Sequence, residues 1–183
     1  SGSGGSGGSG ARRGVGAGGC SCFVLTRETF ECVLERDDSL TRRLARASID
    51  TVLDHWTGLG YYARARNLHQ AAKVIQHDHG GVFPDTFEAV IALPGIGRSS
   101  AGAILSFAYH RRHPVLDGNV RRVLARYFAI QGDPGQVATQ EALWDRVNAV
   151  LPKTGARAAD FNQAMMDLGA LLCTRVHPRC AKC

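Results

Sequence analysis

Leu93-Pro94-Gly95-Ile96-Gly97-Arg98-Ser99-Ser100-Ala101-Gly102, continuing to Val115-Leu116-Asp117-Gly118-Asn119, is the stretch that decides the fold. It reads as a helix, a tight glycine hairpin, a second helix, a loop, and an aspartate opening a third helix. Pro94 and Gly95 stop the first helix, because proline cannot continue it and glycine accepts a left-handed backbone. Gly95, Ile96 and Gly97 leave backbone N–H groups with little side-chain cover where the next helix presents its positive end. That is an anion cradle of a size suited to phosphate. Arg98 and Ser99 open the second helix, Arg98 as a possible charge contact. Its apolar positions Ala101, Ile104, Leu105 and Ala108 fall at i, i+3, i+4 and i+7. Asp117 then stands at an N-cap position. A lone G-x-G turn is more often plain connection. The apolar helix before it, the helix after it and the basic chain around it favour DNA-backbone binding, which positions a protein without reading sequence.

Working outward, the chain has 183 residues, enough for one domain or two small lobes, and a net charge of +6. With a pI near 9.3 it favours a polyanionic partner, nucleic acid before membrane. No apolar run approaches the roughly 20 residues a bilayer span needs, and no signal-peptide pattern opens the chain. A soluble, intracellular protein is therefore expected. Six cysteines fall in two groups, Cys20, Cys22 and Cys32 early and Cys173, Cys180 and Cys183 late. In a reducing compartment the late cluster suggests metal rather than disulfides.

Residues 1–22 are glycine-rich, begin with serine and glycine alone, and are expected to be a flexible tail. Residues 23–183 form the expected helical core, its segment 23–44 the least legible. Further on, Ile49, Val52, Leu53 and Trp56 make one helical stripe, and Leu68, Ala71, Ala72 and Ile75 a second. Val120, Val123, Leu124, Tyr127 and Phe128 make a third, and Phe161, Ala164, Met165, Leu168 and Leu172 a fourth. Leu143, Val147, Val150 and Leu151 suggest another helix. Strand alternation is missing, so the fold class is all-α with about seven or eight helices, the helix–hairpin–helix spanning 86–109 and a cysteine loop 173–183.

Together, the hairpin, Val115–Val120 and the terminal cysteines resemble the helix–hairpin–helix, Gly/Pro-rich, aspartate superfamily of DNA glycosylases. Within it, Trp56-Thr57-Gly58-Leu59-Gly60-Tyr61-Tyr62-Ala63-Arg64-Ala65-Arg66-Asn67-Leu68 and Phe161-Asn162-Gln163-Ala164-Met165-Met166-Asp167-Leu168-Gly169-Ala170 resemble adenine DNA glycosylases of the MutY type. The resemblance covers about residues 45–183. It implies a two-lobed helical fold, and a base-excision-repair monomer that removes adenine paired with 8-oxoguanine or guanine from double-stranded DNA. Asp117 would stabilise the positive charge that builds on the sugar as the N-glycosidic bond breaks. The target base must first leave the stack. Tyr61 corresponds to a wedge beside the partner base, Gln163 to a contact on the extruded adenine, and Asn119 to a support near Asp117. Taken alone, these residues read more simply as packing, a solvated amide and a cap. Ser99 stands where the related endonuclease III group carries a lysine, and a hydroxyl cannot form a Schiff base, so hydrolysis is implied rather than lyase chemistry.

The same resemblance makes Cys173, Cys180 and Cys183 three of four thiolate ligands to a 4Fe–4S cluster, the fourth lying outside this sequence. Zinc with His177 is the alternative. The family's general-acid glutamate motif finds no counterpart at residues 14–18. Glu28, Glu31 and Glu35 are the nearest carboxylates and lack its flanking residues, so impaired catalysis is expected. Two other readings stay open: a glycosylase/lyase of the endonuclease III kind, and a non-catalytic DNA-binding module that uses only the hairpin.

Overall fold

The computed structural model describes residues 38–183, and among them it is helical throughout, with no strand. The expected tail at 1–22, the least legible segment as far as residue 37, Glu28, Glu31, Glu35 and the three early cysteines lie outside the described residues. The helices are α1 (Asp38–Arg46), α2 (Ile49–His55), α3 (Tyr62–Asp78), α4 (Phe87–Ile91), α5 (Arg98–Tyr109), α6 (Gly118–Tyr127), α7 (Val137–Val150) and α8 (Gly155–Leu171). A short 3₁₀ turn, Cys180–Lys182, follows. Their starts carry the expected chemistry: Ser48 Oγ accepts from Thr51 N–H at 3.1 Å, Thr86 Oγ1 from Ala89 N–H at 3.4 Å, and Asp117 Oδ1 from Val120 N–H at 2.8 Å.

Two apolar cores organise the helices. In the first, Ala71, Ile75 and Leu93 join Val90, Ala101 and Leu105 through the shared side chains of Phe83 and Ile96. This core holds α3, α4 and α5 together, and α1 and α2 pack against α3. The second core, Leu116, Val120, Leu124, Leu143, Trp144 and Val147, holds α6 and α7, with Phe161 and Met165 of α8 against it. The two cores give the chain the expected two-lobed, all-α architecture.

Some stripes differ from their sequence reading. Leu68 is 47 % exposed, whereas Ala65, His69 and Ala72, at i, i+4 and i+7, face inward. His69 is buried because its Nε2 meets Ala47 O at 3.1 Å, which lets a polar ring stand where Leu68 was expected. Tyr127 is 79 % exposed and rests edge-on against Phe128, centroids 4.9 Å apart, outside the core. On α8, Ala164 is exposed and the neighbouring turn buries Asn162 instead.

The lobes are joined through the irregular segment 110–117, which has no helical ladder to satisfy its backbone. Asn162 supplies partners: Oδ1 accepts from Val115 N–H at 3.2 Å, and Nδ2 donates to His113 O and Ser106 Oγ, each at 2.9 Å. Ser99 Oγ accepts the next N–H, that of Leu116, at 3.0 Å. Close approach is possible because α5 and α8 have no side chain there. A Cβ on Gly102 would collide with Pro114 O, and one on Gly155 with His110 O. Arg112 then donates to Asn148 O (3.0 Å), Leu151 O (3.2 Å) and Pro152 O (3.0 Å), closing the carbonyl end of α7 with a cation where the helix dipole favours one.

Replacing Asn162 by Ala leaves buried backbone and hydroxyl groups unpaired, so a loss of about 2–3 kcal/mol is expected in urea unfolding. His113 gives a pH signature. Burial chiefly, with Arg111 and Arg112 nearby, lowers its pKa below the ordinary 6.5, against an opposing pull from Glu88. The unfolded chain therefore binds a proton more readily, and stability falls as pH drops from 6.5 towards the folded value. In thermal melts between pH 7.5 and 5.5, the wild type should lose more stability on acidification than His113→Gln.

Candidate functional site

The hairpin comprises residues 92–97 between α4 and α5. Ile96 N–H bonds Leu93 O at 3.1 Å, and Gly95 sits at φ +80° with its α-carbon face against Asn67 of α3. A Cβ at Gly95 would lie 2.6 Å from Asn67 Cβ, so both the turn and the contact with α3 demand glycine. Gly97 is the N-cap of α5 and offers no side-chain cap. The first-turn N–H groups of a 12-residue helix therefore face outward for water or an anion. Arg98 is engaged within the fold. Its guanidinium lies 4.1 Å from the Trp144 ring centroid and 3.6 Å from Glu141 Oε1, which ties the start of α5 to α7. Ser99 also turns inward, to Leu116.

Asp117 follows immediately. Its half-buried carboxylate accepts from Val120 N–H (Oδ1, 2.8 Å) and Asn119 Nδ2 (Oδ2, 3.3 Å), so both oxygens are oriented by neutral donors. Asn119 is oriented in turn: its Oδ1 accepts from Arg122 Nη2 at 2.8 Å, and the same arginine reaches Gly169 O at 2.5 Å and Cys173 O at 2.7 Å. A Cβ on Gly169 would sit 2.6 Å from Asn119 Cβ, so α8 leaves room for this amide. Hairpin, aspartate and α8 thus share one network, through Ser99–Leu116, Asn162–Val115 and Arg122–Asn119.

Gln163 stands next to Asn162 on α8, half-buried, and donates to Asp167 Oδ1 at 3.0 Å. Tyr61 belongs to the other lobe. It precedes α3 in a left-handed conformation (φ 50°, ψ 50°), uncommon for a bulky residue, and its ring is 78 % exposed. Trp56 Nε1 donates to Gly60 O at 2.9 Å, which fixes the approach to Tyr61, and Arg64 stacks on the ring at 5.0 Å. Among the described residues Tyr61 makes no contact with the Asp117 network. The link between them runs through α3, whose Asn67 meets Gly95.

The cysteines were expected to gather. Cys173 is half-buried, and its Sγ accepts from Arg126 Nη1 at 3.3 Å, while Cys180 and Cys183 are exposed. Among the described residues no three His, Cys, Asp or Glu side chains converge as a metal site, and His177 does not complete one. The donor set in this arrangement does not fit a four-thiolate cluster, so no chemical step is assigned to one.

Asn162, Arg112 and Arg122 were not singled out in the sequence. An asparagine between Phe161 and Met165 on an apolar face is a signal that could have found the first. The arginines are visible only once the carbonyl ends of α7 and α8 are placed.

Residues 28–149 match the family described as "HhH-GPD superfamily base excision DNA repair protein", a match that begins earlier than the resemblance from residue 45. An adenine DNA glycosylase of Buchnera aphidicola subsp. Acyrthosiphon pisum is 44 % identical over 144 residues, covering 78 % of this chain and 40 % of the relative. The Homo sapiens adenine DNA glycosylase is 44 % identical over 141 residues, 76 % of this chain and 26 % of the relative. That of Mycobacterium tuberculosis (strain ATCC 25618 / H37Rv) is 45 % identical over 139 residues, 76 % and 45 % respectively. This chain thus spans less than half the length of these relatives. A thermostable thymine-DNA glycosylase superposes with TM-score 0.70 at 28 % identity, covering 78 % of this chain and 65 % of that structure. Endonuclease III in a non-covalent DNA complex, at TM-score 0.64 and 19 % identity over 78 % and 64 %, shares the fold. With two-thirds of its length inside the family match and the hairpin and aspartate in place, the chain belongs to the helix–hairpin–helix GPD superfamily of base-excision DNA repair proteins.

Proposed function

We propose that this chain is the helical catalytic part of an adenine DNA glycosylase, acting as a monomer on duplex DNA to hydrolyse the N-glycosidic bond of adenine paired with 8-oxoguanine or guanine. The observation that carries the reading is the Asp117 carboxylate, oriented by Val120 N–H and the Asn119 amide one residue beyond a segment bonded to the hairpin helix. The hairpin N–H groups grip a backbone phosphate and set the duplex in register. Adenine then leaves the stack, and Gln163, whose amide both donates and accepts, reads its edge. Tyr61, exposed and set out from the surface by its left-handed backbone, fills the gap beside the partner base. Asp117 stabilises the developing sugar cation while water attacks. Ser99 takes no covalent part, because a hydroxyl has no amine with which to form a Schiff base. None of the described helices is long and apolar enough to cross a bilayer.

Departure of adenine also needs a proton. The sequence has no counterpart of the family's general-acid glutamate motif at residues 14–18. We therefore expect excision about 10²- to 10⁴-fold slower than with a positioned general acid.

A single-turnover assay on an adenine:8-oxoguanine duplex tests the reading. Slow adenine release should occur, and Asp117→Asn should lower it about 100-fold or more while duplex binding persists. Equal rates for the two proteins would overturn the assignment of Asp117. Binding without any release would favour the non-catalytic module. Borohydride added during the reaction should trap no covalent DNA adduct, and an adduct would point to lyase chemistry.

A further inference from the structure

α8 lies along the segment that delivers Asp117, and three of its residues, spaced two turns apart, meet that segment. A Cβ on Gly155 would strike His110 O, Asn162 Oδ1 accepts from Val115 N–H at 3.2 Å, and a Cβ on Gly169 would meet Asn119 Cβ. Gln163 stands about 100° round the helix from Asn162, half-buried at the edge of this seam. One turn on is Asp167, exposed, whose Oδ1 accepts from Gln163 Nε2 at 3.0 Å. This pair fixes which way the amide faces. The two ends of an amide are similar in size, so packing hardly distinguishes its two orientations, but a carboxylate can only accept. Turned round, the amide would set its oxygen against that of Asp167 with no proton between them. Among the described residues no cation pairs with Asp167, and no group donates to Gln163 Oε1.

We propose that Asp167 is a positioning residue for base selection. By holding one Gln163 N–H it keeps Oε1 as the free acceptor, so the amide takes a purine with a donor at position 6 and rejects one with a carbonyl there. This rests on the glycosylase reading above, in which Gln163 meets the extruded base, and adds what sets the polarity of that amide. The exocyclic amine of adenine donates to Oε1. The second N–H of the amide can serve N7, as in the paired contact that glutamine makes with adenine N6 and N7. The O6 of hypoxanthine or guanine would instead oppose Oε1, oxygen to oxygen. A site arranged for a donor discriminates against the analogue lacking it, because its own acceptor is then left unpaired.

The test uses the whole chain as wild type, Asp167→Asn and Asp167→Glu. Each is titrated with 8-oxoguanine duplexes whose opposing nucleotide carries adenine or hypoxanthine on a 2′-fluoro sugar, which resists bond cleavage. The ratio of the two affinities is read. Unstacking costs differ between the duplexes but are the same for every protein, so they cancel in the comparison. Asparagine donates as well as accepts and so tolerates both amide orientations. Asp167→Asn should lower the preference for adenine about tenfold, and Asp167→Glu, which still only accepts, should retain most of it. If the pair merely braced α8, Asp167→Asn would lose stability and keep the wild-type preference. That result overturns the proposal, as does a wild type with no preference. Adenine release from the ordinary deoxynucleotide is followed separately, so that preference without release would count against the glycosylase reading alone.

Discussion

The Asn162 amide, buried between the lobes, satisfies Val115 N–H, His113 O and Ser106 Oγ at once. The chain between α5 and α6 has no ladder of its own, and buried backbone groups must be paired somewhere. Asn162 and Ser99 do this from two different helices, so the segment has one arrangement and Asp117 emerges from it in one place. The glycines on the same helices are part of the device, because Gly102 and Gly155 let α5 and α8 approach backbone carbonyls that any Cβ would strike. The placement of Asp117 thus depends on buried hydrogen bonds and on the absence of side chains, more than on charge.

Charge has a separate task. Arg112 and Arg122 use their cations to close the carbonyl ends of α7 and α8, and Arg98 lies on Trp144, so much of the basic character near the site is structural. The uncapped backbone at the start of α5 and the exposed Tyr61–Arg64 stack are among the groups not committed to such closures. This division accounts for how a protein with a net charge of +6 keeps its aspartate among neutral donors.

Much of this was legible in the sequence because it is local. Pro94-Gly95 ends a helix, Asp117 begins one, and the stripes of α5 and α6 follow the helical period. Legibility failed where tertiary partners decide. Leu68 and His69 are adjacent, and only the carbonyl of Ala47 explains why the histidine is the buried one. Tyr127 fits the period, yet Phe128, one residue on, is the ring that packs against the core, and Tyr127 is left exposed. Arg98 reads as a charge contact, and its packing on Trp144 beside Glu141 is visible only once α7 is placed. The inward role of Ser99 is equally invisible, since its partner is a backbone N–H 17 residues away.

The central claim is that the reaction depends on how the segment before Asp117 is held. The most direct measurement is the single-turnover rate of adenine release by Ser99→Ala, alongside its affinity for the same duplex. Removing the hydroxyl leaves Leu116 N–H unpaired while the hairpin backbone keeps its grip on phosphate. The account predicts a rate about tenfold lower, near 1.4 kcal/mol of lost transition-state stabilisation, with duplex affinity unchanged. An unaltered rate, or a loss confined to duplex affinity, would contradict it.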